Sequence, residues 1–145
     1  MNPVNTKFLL ADDDADDTHL FCEALARIDP AMQCYTVENG RMVFELLLEN
    51  KPDVIFLDIN MPVMNGWKCL ERLKDDPGNR DIPVIMYSTS SAKSDVEKAY
   101  TLGAQLFLTK PDDFRELCQI LEIVAISAKD SLINQLSKFK SVKLS

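Results

Sequence analysis

Histidine is nearly missing from this chain. His19 is the only one, and the four cysteines, Cys22, Cys34, Cys69 and Cys118, contain no C-x-x-C pair. Together these absences exclude a zinc site of ordinary ligand spacing. The scattered cysteines are expected to be buried small hydrophobes. His19 falls about opposite the helical stripe Leu20, Phe21, Ala24, Leu25 and Ile28, so an exposed side chain is expected there. No apolar run approaches the roughly 18 residues of a membrane span, and the opening MNPVNTKF lacks the apolar centre of a secretory signal. A cytoplasmic location is therefore expected. Basic residues form no cluster that could follow a phosphate backbone, and a net charge of −7 disfavours nonspecific binding to nucleic acid or an anionic membrane. No G-x-x-x-x-G-K-[ST] loop occurs, which argues against a bound nucleotide. Protein partners or small ligands remain.

What is present in excess is negative charge at one place. Five aspartates stand at Asp12, Asp13, Asp14, Asp16 and Asp17, directly after the apolar run FLLA. The chain has 145 residues, 46% apolar and 27% charged, enough for one domain with a real core. Five short apolar runs recur, at Phe8–Ala11, Cys34–Val37, Val54–Leu57, Val84–Tyr87 and Leu106–Leu108. Most lack polar alternation, as expected of strands buried on both faces of a parallel sheet. Between them lie helically spaced segments: Ala15–Ile28, Arg41–Glu49, a segment after Asn65–Gly66, one after Ser94, and Asp113–Ala128. Asp14 or Asp16, Asn39, Asn65, Ser94 and Asp112 are the expected N-caps, and Gly103 stands at an expected helix end. This βα unit, repeated five times, implies an α/β fold with a parallel sheet, right-handed crossovers and helices on both faces.

Sites in such sheets lie outside the carboxyl ends of the strands. Asp12 and Asp13 follow the first strand, Asp58 the third, Ser88 the fourth and Lys110 the fifth. Carboxylates a few ångströms apart repel by roughly 4 kcal/mol per pair at an effective dielectric near 20. A divalent cation removes that cost, and hard oxygen ligands favour Mg²⁺. Lys110 supplies a second positive charge suited to phosphoryl transfer, Ser88 a hydrogen-bond donor, and one carboxylate a nucleophile. Asp58, ending the very apolar DVIFLD, is the natural candidate.

The segments FLLADDD, VIFLDINMPVMNGW, IPVIMYSTS and LFLTKP, in this order and spacing, resemble the receiver domain of two-component response regulators. The resemblance covers about residues 6 to 128. It implies a flavodoxin-like (βα)5 doubly wound sheet of strand order 2-1-3-4-5, and a single-domain regulator in which Asp58 accepts phosphate. The donor would be a phosphohistidine on a sensor histidine kinase or a histidine phosphotransfer protein. Asp12 and Asp13 would form the acidic pair, with Asp13, Asp58 and the Asn60 backbone carbonyl reaching Mg²⁺. Ser88 would be the switch hydroxyl, Lys110 the invariant lysine and Phe107 the switch aromatic. The resemblance also implies a reading face on the fourth helix, fifth strand and fifth helix, a monomer or a phosphorylation-dependent dimer, and commonly a cis Lys110–Pro111 bond. Thr89 departs from the alanine usual in the family, and Asn60 and Ser90 occupy positions that tune phosphate lifetime.

Three rivals are weaker. Asp12, Asp14, Asp16 and Glu23 fall at positions 1, 3, 5 and 12 of an EF-hand loop, but Asp17 stands where its sharp turn needs glycine. Asp14, Asp16 and Asp17 read instead as first-turn residues favoured by the helix dipole. A Mg²⁺-dependent aspartyl-phosphate phosphohydrolase would want an acid at Asn60 to protonate the leaving group. A phosphate-independent docking protein of the same fold would not need the full residue set. Residues 1–128 are thus expected to form the receiver domain. Residues 129–145, with Leu132, Ile133, Leu136 and Phe139 at helical spacing, are expected to be an extension that continues the fifth helix or docks on it, leaving a stand-alone module.

Overall fold

A computed structural model describes residues 6 to 127. The expected extension at 129–145 lies outside the described residues. Strands β1 (Lys7–Ala11), β2 (Gln33–Val37), β3 (Val54–Leu57), β4 (Val84–Ser88) and β5 (Leu106–Thr109) alternate with helices α1 (Ala15–Ile28), α2 (Gly40–Leu47), α3 (Gly66–Asp75), α4 (Lys93–Thr101) and α5 (Phe114–Ser127). All pairings are parallel, and the order is β2-β1-β3-β4-β5. The fold is the α/β flavodoxin-like arrangement expected from the sequence.

The lack of polar alternation in the strands has its cause in the packing. Phe8 and Leu10 of β1 enter one core with α1 and α5, while Leu9 and Ala11 enter a second core with α2, α3 and α4. Alternate residues therefore meet different helical layers, and neither face is left to water. The first core holds a cluster of rings in which Phe21 meets Phe56 edge-on at 4.9 Å and Tyr87 at 5.8 Å. Leu20 was expected within the α1 stripe but is 42% exposed. At about 100° per residue it sits on the flank of the arc formed by Phe21, Ala24, Leu25 and Ile28. His19 is exposed, as expected. Of the cysteines only Cys69 is buried; Cys22, Cys34 and Cys118 are half-buried, which corrects the expectation for those three.

The caps differ from expectation at two helices. Asp14 accepts from the amides of Asp16 and Asp17, Asn39 from Met42 and Asn65 from Lys68. Ser94, however, lies inside α4, whose cap residue is Ala92. Ser90 does the work from outside the helix: its Oγ accepts from the Ala92 amide and donates to Asp95. At α5 it is Asp113, not Asp112, that accepts from the Arg115 amide. α4 ends as the glycine predicts. Gly103 has φ of 103°, its amide donates to the Tyr100 carbonyl, and the Ala104 amide donates to the Ala99 carbonyl, the pair of bonds that closes a Schellman motif. No cis peptide bond occurs among the described residues, so Lys110–Pro111 is trans, contrary to the family expectation.

Gly66 couples the third strand's end to its helix. Its amide donates to the Ile59 carbonyl at 2.8 Å, and a Cβ placed on it would lie 2.1 Å from the Asp58 carbonyl oxygen. That neighbour is backbone and cannot swing away. Gly66→Ala is therefore expected to destabilise the fold by about 2–3 kcal/mol or more, measured as a fall in the urea midpoint at unchanged slope.

Candidate functional site

Three of the expected residues are each the first beyond a strand, and each backbone is pinned by one further rung of the ladder. The Asp12 amide donates to Val37, the Asp58 amide to Ala11 and the Lys110 amide to Ser88, at 3.0, 2.9 and 2.7 Å. The sheet thus holds these positions before any side chain interacts.

The side chains then converge. Lys110 Nζ lies 2.8 Å from Asp12 Oδ2, 2.7 Å from Asp17 Oδ2 and 3.4 Å from Asp58 Oδ2. It also sits 5.5 Å from the centre of the Tyr87 ring. Carboxylate oxygens of Asp12, Asp13 and Asp58 all lie within 4.8 Å of one another. Asp12 is buried, Asp58 is 8% exposed and Asp13 is open to solvent. The second oxygen of Asp12 accepts from the Asp14 amide, and Asp58 Oδ1 accepts from the amide of Ile59.

Asp58 carries the electrostatic strain of this arrangement. Burial pushes its carboxyl up to about 6, the Lys110 ammonium opposes the rise, and the charge of Asp12 adds to it. Burial alone would lower the Lys110 ammonium. Hydrogen bonds to Asp12 and Asp17, with the charges of Asp12 and Asp58, hold it above its ordinary value instead. One ammonium thus serves three carboxylates, and Asp13, the fourth acid of the group, makes no ion pair with it. The donor set is all hard oxygen, crowded and reachable through Asp13, which fits a divalent cation that takes oxygen ligands.

Ser88 ends β4 opposite Thr109 and is 2% exposed; its Oγ accepts from the Ser90 amide. Phe107 is fully buried in the second core, and its amide donates to the Tyr100 hydroxyl at 3.3 Å. Asn60 and Thr89 are exposed in the loops after β3 and β4. Trp67 packs against the second core with Lys98 Nζ 4.8 Å from its ring, consistent with a packing role. Sequence reasoning missed Asp17 and Tyr87. Asp17 stands four residues beyond Asp13, a spacing that brings a first-turn side chain back over the same rim. Tyr87 precedes Ser88 and was read only as core.

A neighbouring cavity of about 670 Å³ is lined by Asp12, Asp13, His19, Cys22, Glu38 and Met42, among others. No helix among the described residues is long and apolar enough to cross a membrane.

Comparison with known proteins agrees with this geometry. The model of the response regulator receiver domain matches residues 8–122. The phosphate regulon transcriptional regulatory protein PhoB of Pseudomonas aeruginosa is 31% identical over 121 residues, which is 83% of this chain and 52% of that protein. A protein-glutamate methylesterase/protein-glutamine glutaminase of Methanococcoides burtonii is 34% identical over 117 residues, 79% of this chain and 32% of that one. The chain thus spans about a third to a half of these curated relatives. Among solved structures, the phosphorylated cyanobacterial phytochrome response regulator RcpA superposes with a TM-score of 0.76 at 31% identity, covering 84% of this chain and 94% of that one. The chemotaxis response regulator CheY4 of Vibrio cholerae gives 0.71 at 25% identity, covering 81% and 96%. Sheet order, an acidic cluster beside a strand-end lysine and the matched span all lead to one assignment: this chain belongs to the response regulator receiver domain family of two-component signalling.

Proposed function

We propose that the chain is a phosphoacceptor rather than a turnover enzyme, with Asp58 taking a phosphoryl group from a phosphohistidine on a sensor histidine kinase or histidine phosphotransfer protein. The observation that carries this reading is the contact of Lys110 with Asp12, Asp17 and Asp58, alongside the cluster of Asp12, Asp13 and Asp58 oxygens. An Asp58 carboxylate oxygen attacks phosphorus, an O–P bond forms, and the P–N bond of the donor breaks with its electron pair left on the imidazole. Lys110 and the Ser88 hydroxyl bind the phosphoryl oxygens as charge spreads over them. Asp13, Asp58 and the Asn60 backbone carbonyl would hold Mg²⁺, with Asp12 beside them. The ion would supply neutralising charge to the carboxylates and the incoming phosphoryl group.

The product replaces a single carboxylate charge by about −1.5 to −2. Lys110 then exchanges a carboxylate for a phosphoryl partner, and Ser88 moves toward the new oxygens. Space vacated by Ser88 is filled by repositioning of Phe107, which changes the face formed by α4, β5 and α5. A downstream protein reads that face. Nucleic acid and membrane are not partners, the module acts in the cytoplasm, and it is a monomer or a dimer that forms on phosphorylation.

Incubating the chain with Mg²⁺ and a small acyl phosphate, followed by intact mass, tests this. One base-labile phosphate per chain, mapped to Asp58 and absent when Mg²⁺ is chelated, is the expected result. No incorporated phosphate would favour a phosphate-independent docking protein. Sustained release of inorganic phosphate from simple phosphomonoesters would favour a phosphohydrolase. Either outcome overturns the proposal.

A further inference from the structure

Cys22 and Cys34 are 12 residues apart in sequence, on α1 and on the edge strand β2, yet their Sγ atoms lie 2.9 Å from each other. Both are free thiols and both are half-buried. Closure by about 0.9 Å would bring them to the disulfide bond length of about 2.05 Å. From this juxtaposition and the open approach to it, we propose that Cys22 and Cys34 form a redox-active pair, closed to an intramolecular disulfide by a hydroperoxide and reopened by a thiol reductant.

Access and acidity assign the two roles. Cys22 lines the cavity of about 670 Å³ beside the acidic rim, so a molecule the size of hydrogen peroxide reaches its sulfur without unfolding the chain. The hydrogen bond with Cys34 holds the Cys22 thiol below its ordinary value although burial opposes it. The same bond and burial push the Cys34 thiol up. Cys22 is the attacking sulfur and Cys34 the resolving one.

The chemistry balances with peroxide as the only added reactant. Cys22 thiolate attacks one peroxide oxygen, an S–O bond forms and the O–O bond breaks. The departing hydroxide takes the proton that Cys22 released and leaves as water, and the sulfur is now a sulfenic acid. Cys34 sulfur then attacks the oxidised Cys22 sulfur, the S–S bond forms and the S–O bond breaks. The leaving hydroxide takes the Cys34 proton, giving a second water. Two thiols are oxidised and one peroxide is reduced. Reversal proceeds by thiol–disulfide exchange.

The other cysteines lack this chemistry. Cys69 is buried, its Sγ donates to the Gly40 carbonyl, and burial pushes its thiol up to about 12. Cys118 sits on α5, where burial, its largest influence, raises its thiol. Among the described residues the sulfur-to-sulfur contact is that of Cys22 with Cys34, and neither Cys69 nor Cys118 shares it.

The test uses the full chain, treated with hydrogen peroxide, denatured, alkylated and measured by intact mass. Alkylatable thiols are expected to fall from four to two, with the loss of two hydrogen masses, a peptide link between Cys22 and Cys34, and full reversal by dithiothreitol. Cys22→Ser is expected to retain all of its remaining thiols under the same treatment. Cys34→Ser, which keeps the attacking sulfur and removes the resolving one, is expected to label at Cys22 with a sulfenic-acid trap. Oxidation that leaves four alkylatable thiols, that links Cys69 or Cys118, or that couples two chains would overturn the proposal. Labelling at a cysteine other than Cys22 in Cys34→Ser would overturn the assignment of roles.

Discussion

Asp58→Asn is expected to incorporate no phosphate where the wild-type chain takes up one, and to unfold at a higher temperature than wild type in metal-free buffer at pH 7. The two effects come from the same carboxylate. Loss of phosphate uptake follows because an amide oxygen is no nucleophile toward phosphorus under these conditions, and neither Asp12, tied to Lys110, nor Asp13, exposed at the rim, takes over the position after β3. The gain in stability follows from burial. Asp58 ionises at about 6 in the folded chain against an ordinary 3.8, with burial the main cause. A carboxyl whose folded value is raised favours the fold fully below about 3.8 and withdraws that contribution as the pH rises through about 6. At pH 7 the wild type therefore bears an ionised group that folding disfavours, and the amide does not. Allowing for the residual exposure of the side chain, the difference is roughly 1–3 kcal/mol, several degrees in Tm for a chain of this size. The amide oxygen can still accept from Ile59, and its NH₂ can donate to Asp12. Unfolding curves of both proteins from pH 4 to 8 check this: the advantage should shrink toward pH 4. Equal Tm values at pH 7 and pH 4 would show that Asp58 is not destabilised by its surroundings.

Lys110→Ala is expected to have the opposite sign and a larger effect on stability. The Asp12 side chain is fully buried, and Lys110 is its charge partner at 2.8 Å. Removing the ammonium leaves the buried Asp12 carboxylate without its charge partner and takes away the charge that holds the Asp58 carboxyl down, with the amides of Asp14 and Ile59 still donating to the two side chains. Breaking one side of a buried pair destabilises by about 3–5 kcal/mol, because an uncompensated charge stays behind. Asp17 contributes little to this, being about a third exposed and able to turn to water. The raised ammonium contributes stability at every pH below its ordinary 10.5 and loses it only above, so the full deficit is present at pH 7. The deficit should narrow as the pH falls toward about 6, because Asp58 without Lys110 takes up its proton at a higher pH than in the wild type, and it should narrow when Mg²⁺ is added. A variant that unfolds within a degree of wild type at pH 7 without metal would refute the role assigned to Lys110 in neutralising this rim. In phosphorylated protein the same variant should lose the change in partner affinity, since the phosphoryl group then has no ammonium to draw toward it.

Most of this site was legible before the structure because parallel-strand geometry converts sequence position into place. A residue just past an apolar run in a βα repeat lies at the carboxyl rim, and Asp12, Asp13, Asp58 and Lys110 are all such residues. The strands were legible for a related reason: four of them are buried on both faces and carry almost no polar interruption. What escaped depended on side-chain reach and on packing between elements. Asp17 looked like a dipole-favoured first-turn acid, and only the rotation of α1 over the rim turns it toward Lys110. Ser94 had the spacing of a cap, but the chain takes its cap from Ser90, whose hydroxyl serves two partners. The nearness of Cys22 and Cys34 needs α1 to lie against β2, which no spacing within either element reveals. The trans Lys110–Pro111 bond is a property of the local chain path, and the resemblance alone pointed the other way.

Crowded acids at the strand ends should make this chain's stability depend on a divalent cation, and thermal unfolding across a Mg²⁺ titration measures that dependence directly. The wild-type chain is expected to gain about 2–3 kcal/mol as Mg²⁺ reaches roughly a hundredfold excess over its dissociation constant. Asp13→Ala, which removes an exposed acid that makes no ion pair with Lys110, should fold normally and lose most of that gain. Titration curves for the wild type and Asp13→Ala that coincide, or a wild type indifferent to Mg²⁺, would contradict cation binding by Asp12, Asp13 and Asp58.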